Sequence, residues 1–63
     1  MKQTVIIVER TLEFEEPFII GVYADYQSAK IGIDKDILYL ETQQGIKAHV
    51  SDYFANPMTV IEY

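Results

Sequence analysis

The combination of 63 residues and no cysteine most narrowly limits what this chain can fold into. A chain this short buries only about 60% of the surface that its unfolded form exposes, so small domains usually need disulfides, a structural metal or a partner chain. Disulfides and thiolate zinc sites both require cysteine, and the single histidine leaves only oxygen-rich metal sites. The sequence therefore predicts one small domain, residues 1–63, without metal or cofactor, that depends on close packing or on association.

The charge balance narrows the class of partner. Ten acidic and five basic residues give a formal net charge of −5, which repels nucleic-acid phosphates and anionic lipid headgroups. We therefore expect no direct nucleic-acid binding and no membrane association. The charge suits a basic protein partner, for which an acidic DNA-mimicking inhibitor is one model, but it is also an ordinary solubilising charge. The longest acidic run is Glu15-Glu16, which favours the second interpretation.

The apolar run at residues 5–8 is too short for a signal-peptide core or a membrane span. No small-residue cleavage site follows it. The sequence therefore predicts a cytoplasmic protein.

Two strands are predicted in the first half of the chain. Residues 4–11 contain the β-branched run 5–8, which is apolar on both faces. Residues 18–24 follow a short connection with three glutamates and Pro17, so we expect an antiparallel hairpin. Gly21 inside the second strand indicates a bulge or the close approach of another element.

A helix is predicted from Asp25, as N-cap, to Gly45, as the left-handed C-cap. Five apolar residues recur at three- and four-residue steps and form one stripe, which favours a helix over a competing strand pattern at residues 36–41. Gly32 costs about 1 kcal/mol relative to alanine inside a helix, and it would let the helix pack closely on the sheet, near Gly21. The stripe consists of Tyr26, Ala29, Ile33, Ile37 and Leu40.

The last part of the chain is predicted as a short helical turn at residues 51–54 and a final strand at residues 58–63, because Asn56-Pro57 disfavours helix and breaks the chain. The predicted fold is an α+β domain of order β-β-α-β, in which one main helix packs on one face of a three-stranded antiparallel sheet. One helix covers only one sheet face. The second face must be covered by residues 48–55 or by another chain.

Three segments together resemble a class of small, mostly uncharacterised bacteriophage and bacterial proteins: Val5-x-x-Val8-Glu9-Arg10, Ile20-Gly21-Val22-Tyr23 leading into the helix, and Thr59-Val60-Ile61-Glu62-Tyr63. Members of that class consist of a hairpin, a helix and a final strand that ends near Glu-Tyr. The resemblance covers most of the chain except residues 45–56, and it supplies no catalytic residues. It implies a phage-type origin and an accessory role directed at a host protein.

Catalytic chemistry finds little support. Asp34 and Asp36 point about 200° apart on a helix and cannot share a site. His49, Ser51 and Asp52 lie within four positions, which is more typical of a surface turn than of a catalytic triad. No glycine-rich phosphate loop and no basic patch is present. We therefore expect a protein that is not an enzyme and that has no catalytic residues.

An interaction surface is the better-supported expectation, because aromatic side chains and an uncovered apolar sheet face both favour protein contacts. The uncovered face is predicted to contain Ile6, Val8, Ile19 and Tyr23, and the outer side of the helix presents Ile31 and Leu38 next to Tyr39. The predicted function is a small module that binds and modulates a host protein. The alternatives are a structural or regulatory homodimer with a ligand site at its seam and a DNA-mimicking inhibitor. The full set of candidate interface residues is Ile6, Val8, Ile19, Tyr23, Ile31, Leu38, Tyr39, Tyr53 and Phe54.

Overall fold

The structure, a computed structural model that describes residues 2–61, confirms the α+β class and the order β-β-α-β. Strand β1 (Lys2–Arg10) lies in the centre of a three-stranded antiparallel sheet, between β2 (Phe18–Tyr23) and β3 (Tyr53–Ile61). Helix α1 (Tyr26–Gln44) crosses one face of this sheet, and a single 3-10 turn (Val50–Asp52) precedes β3. Residues 62 and 63, which belong to the predicted last strand, lie outside the described part of the chain.

Both predicted ends of α1 are confirmed. The Asp25 side chain accepts a hydrogen bond from the Ser28 backbone N–H at 2.7 Å, which satisfies one of the free donors of the first turn. Gly45 adopts the left-handed conformation with φ 64°, and its backbone N–H bonds the Leu40 carbonyl. Three residues of the predicted stripe are buried and Ile37 is half-buried, whereas Tyr26 is exposed.

Strand β3 begins five residues earlier than predicted and continues through Asn56-Pro57. It is an edge strand, so proline can occupy a position whose missing N–H would otherwise face solvent. Pro57 pairs with Ile6 of the central strand, and the ladder continues on both sides of it. The prediction that Asn56-Pro57 breaks the chain was therefore wrong.

The core lies between α1 and one face of the sheet. Val8 is fully buried at 0% exposure, and its neighbours in the sheet are the small residues Gly21 and Ala55. These small neighbours leave room for the helix to lie close over Val8. The buried hydrophobic residues are Ile6, Val8, Leu12, Ala29, Ile33, Leu40, Ala48 and Tyr53.

Candidate interaction surfaces

The face of the sheet opposite α1 is apolar and uncovered. We call it the open sheet face. Cross-strand pairs place Val5 beside Met58, and Ile7 between Val22 and Asn56. Val22, the most exposed apolar side chain of this face, has 58% of its surface accessible. Seven of its ten side chains are apolar and one, Glu9, is charged. The face consists of Gln3, Val5, Ile7, Glu9, Ile19, Val22, Phe54, Asn56, Met58 and Val60.

The sequence correctly predicts that one helix leaves an apolar face uncovered, but three of the four residues predicted there, Ile6, Val8 and Tyr23, lie on the other face. Ile6 and Val8 are 3% and 0% exposed and lie beneath α1, and Tyr23 is half-buried on the same side. The small neighbours of Val8 decide the side on which the helix packs. The open side of β1 is formed by Val5 and Ile7, and residues 48–55 do not cover it.

A β-bulge explains why Ile19 lies on the open sheet face although Tyr23 does not. Val8 pairs with Gly21, but the next residue, Glu9, pairs with Ile19, so Ile20 is an extra residue in β2. An extra residue reverses the side-chain alternation beyond it. Ile19 therefore shares a face with Val22, and Ile20 packs against the core. Gly21 indicated this bulge at the sequence level.

The remaining candidate residues separate into different environments. Ile31, Leu38 and Tyr39 are exposed on α1, at 51%, 61% and 52%; Ile31 and Tyr39 lie on the side of the helix toward the edge of β2, and Leu38 does not. Phe54 is exposed on the open sheet face. Tyr53 is only 7% exposed and belongs to the core, because strand alternation places it opposite to Phe54. It is therefore removed from the candidate surface.

A groove of about 550 Å³ runs between the outer edge of β2 and one side of α1. The Tyr23 phenol forms its floor and lies against two glycines: a Cβ on Gly21 would lie 2.7 Å from the phenol oxygen, and one on Gly32 would collide with it. The predicted close approach of helix and strand near these glycines is confirmed, and the aromatic ring fills the space between them. The groove is lined by Ile20, Tyr23, Ser28, Ile31, Gly32, Lys35, Asp36 and Tyr39.

A polar cluster connects α1 to the end of the sheet. Arg10 donates to Glu15 at 2.7 Å and to both carboxylate oxygens of Asp36, at 3.1 and 2.9 Å. The Tyr53 hydroxyl donates to Asp36 at 2.5 Å. The bond to Glu15, followed by the interactions with Asp36, raises the pKa of Arg10. Burial, with the bond to Asp36, raises the pKa of Tyr53. The charged groups of this cluster thus form hydrogen bonds with one another. We call the cluster the clamp, because it joins the helix to the sheet.

His49, Ser51 and Asp52 form the predicted surface turn. The Asp52 carboxylate accepts the His49 backbone N–H at 2.9 Å, so it caps the 3-10 turn. His49 and Ser51 are exposed. The carboxylate that a triad would need is therefore occupied by the backbone.

Within residues 2–61, no group of three or more histidine, aspartate or glutamate side chains is placed to hold a metal ion. No helix there has the length and apolar character needed to cross a membrane.

Comparisons with protein families, with curated proteins and with solved structures find no match to this chain. The surfaces must therefore be interpreted from their own geometry.

Proposed function

We propose that this protein is a non-enzymatic protein-interaction module, and that its open sheet face packs against the same face of a second copy. The observation that carries the proposal is the character of that face: seven apolar side chains and one charged group, Glu9, drawn from all three strands. An uncovered apolar face of this kind is typical of an interaction site in a soluble protein.

The size of the face fits a second copy. The strands lie about 4.8 Å apart, and β1 and β3 have nine residues each while β2 has six; at about 3.3 Å per residue they cover about 380 Å² before side-chain relief is counted. Two such faces bury roughly 800 Å² or more in total, which lies at the boundary between accidental contacts and weak specific complexes. We therefore expect a reversible dimer with a dissociation constant in the micromolar range.

Charge also favours self-association through this face. The chain carries a net charge of −5, so two copies repel each other unless their charges lie away from the interface. The open sheet face contributes only Glu9, whereas Arg10 pairs with Asp36 and Glu15 away from this face and reduces the charge of that cluster to −1. Face-to-face packing of two sheets about 10 Å apart is a common arrangement, and a two-fold axis makes the contact self-complementary.

Other functions have less support. Within residues 2–61, four acidic side chains are engaged in internal hydrogen bonds, which leaves fewer for an array of phosphate-like charges: Glu15, Asp25, Asp36 and Asp52. This argues against the DNA-mimic alternative. Phage origin and inhibition of a host protein stay predictions.

The test is the solution mass by light scattering over a concentration series, on the wild type and on Val22→Lys and Met58→Lys. Both residues are more than half exposed, so a lysine there leaves the fold intact. Leu38→Lys is the matched control, because Leu38 is equally exposed on the helix. Val8 is not a usable probe, since it lies in the core.

We expect a dimer for the wild type and Leu38→Lys, and at least a tenfold weaker association for Val22→Lys and Met58→Lys. Melting temperatures measured on dilute, monomeric samples should agree among all four proteins. A wild type that stays monomeric at about 1 mM would refute the proposal, as would equal weakening by the helix control.

A further inference from the structure

The groove between β2 and α1 has the features of a site for an extended peptide. β2 is an edge strand, so about half of its backbone N–H and C=O groups point outward without a strand partner. A peptide can add to such an edge through backbone hydrogen bonds, while pockets beside the edge receive alternate side chains. The groove of about 550 Å³ lies within the size range of ligand sites.

The two sheet edges differ in their ability to accept a strand. β3 contains Pro57, which lacks an N–H and interrupts the row of donors on that edge. β2 contains no proline between Phe18 and Tyr23. Strand addition is therefore favoured at β2, and only this edge is flanked by the groove.

The walls of the groove indicate which side chains the peptide carries. Ile31 and Tyr39, each about half exposed, lie two helical turns apart on α1 and face the edge of β2 together with Ile20. These apolar walls suit β-branched or aliphatic side chains at every second peptide position. The Tyr23 phenol, held between Gly21 and Gly32, closes the floor.

The charges of the side chains that line the groove indicate that the ligand carries a carboxylate. Two charged side chains of opposite sign line it, Lys35 and Asp36. Asp36 is bound by Arg10 and by the Tyr53 hydroxyl, whereas Lys35 forms no ion pair within residues 2–61. The groove thus has one uncompensated cation in a chain whose net charge is negative. An ammonium beside an apolar groove favours an anionic group on the ligand.

We propose that the groove binds an extended peptide by strand addition to β2, with alternating aliphatic side chains in the groove and a carboxylate at Lys35. This inference rests on the proposed function as an interaction module, but it uses the helix side of the sheet. A dimer formed through the open sheet face leaves both grooves accessible, so one dimer would bind two peptides.

The probe is an acetylated hexapeptide that alternates valine and threonine and ends in a free carboxylate. It is titrated into the ¹⁵N-labelled full chain and followed by amide chemical shifts. One control peptide has a C-terminal amide, and a second carries N-methyl groups on alternate residues, which remove its outward N–H donors. Lys35→Gln tests the anion contact, and Lys30→Gln, which changes a lysine of the same helix outside the groove, is the matched control.

We expect saturable shifts at β2 and around Ile31 and Tyr39, about tenfold weaker binding of the amide, and no saturation with the N-methylated peptide. In Lys35→Gln the acid and amide should bind equally, whereas Lys30→Gln should behave as the wild type. The inference fails if no saturable shift occurs at β2 up to about 10 mM peptide, or if the shifts fall on the open sheet face. It also fails if acid and amide bind the wild type equally. Solution mass reports on the sheet face and these shifts report on the groove, so either proposal can fail alone.

Discussion

Replacing Gly32 by alanine tests the packing between helix and sheet, because the sign of its effect on the free energy of unfolding should depend on the residue at position 23. In the wild type, a methyl group on Gly32 collides with the Tyr23 phenol. The ring cannot easily move away, since Gly21 confines it on the strand side, where an added Cβ would lie 2.7 Å from the phenol oxygen. The helix must therefore shift, or the ring must leave the groove.

Two opposing effects determine how much Gly32→Ala changes the free energy of unfolding. Alanine is better than glycine inside a helix by about 1 kcal/mol, and this gain is available in any background. Overpacking against a confined ring costs about 1–3 kcal/mol. Gly32→Ala should therefore lower the free energy of unfolding of the wild type by about 1 kcal/mol. With Tyr23→Val the ring is absent, and the same change should raise it by about 1 kcal/mol, a coupling energy of about 2 kcal/mol.

The assay is urea denaturation followed by far-ultraviolet circular dichroism, at a concentration where light scattering gives a monomeric mass. Gly45→Ala is the control. A Cβ there meets nothing within 4 Å, but φ is +64°, so alanine should cost about 1 kcal/mol in both backgrounds without coupling. If Gly32→Ala stabilises the wild type as much as it stabilises Tyr23→Val, the ring does not lie against Gly32 and the reasoning is wrong.

Two further predictions concern hydrogen bonds to carboxylates. Tyr53→Phe removes the donor to Asp36 and should lower the free energy of unfolding by about 2 kcal/mol in urea titrations at neutral pH, because the bond joins a buried hydroxyl to a charged group; an unchanged midpoint would contradict the clamp. The second variant, Asp25→Asn, tests the dependence of stability on pH. The hydrogen bond from the Ser28 backbone N–H lowers the pKa of Asp25 in the folded chain, so the ionised carboxylate stabilises the fold at pH values above its ordinary pKa. This stabilisation is lost as the pH falls through the lowered pKa. When the free energy of unfolding is measured as a function of pH, the wild type should therefore lose more stability in acid than Asp25→Asn. Parallel curves for the two proteins would refute this.

Local signals made the helix predictable. Asp25 and Gly45 satisfy opposite ends of α1 through a side-chain acceptor and a left-handed backbone, and both effects depend on a single residue type at a single position. The apolar stripe predicted which side of α1 is buried, since Ala29, Ile33 and Leu40 share one helical face and are buried in the structure. The antiparallel hairpin of the first two strands followed from a short connection and β-branched residues.

The side of the sheet that remains open could not be predicted from alternation alone. β1 is apolar on both faces, so its own pattern does not distinguish Ile6 from Ile7. The choice depends on the pairing register, which sets Gly21 and Ala55 beside Val8 and leaves Val22 beside Ile7. Register is a long-range property that the turn lengths and the bulge determine jointly. Val5, Ile7, Val22, Met58 and Val60 were missed for this reason, and Lys35 was missed because only the tertiary fold brings it to the β2 edge.

The bulge at Ile20 connects the stability of the domain with both proposed surfaces. By taking up one extra residue, β2 turns Ile20 toward the core and the groove while it turns Ile19 outward to the open sheet face. A regular strand would exchange these two residues: Ile20 would point to the open sheet face, and Ile19 would lie on the helix side, two positions from Gly21. The bulge therefore determines which of the two isoleucines packs against the core and which one belongs to the open sheet face. A chain of this length cannot place all its apolar residues under one helix, so its strands divide them between a core that folds the chain and a surface suited to association.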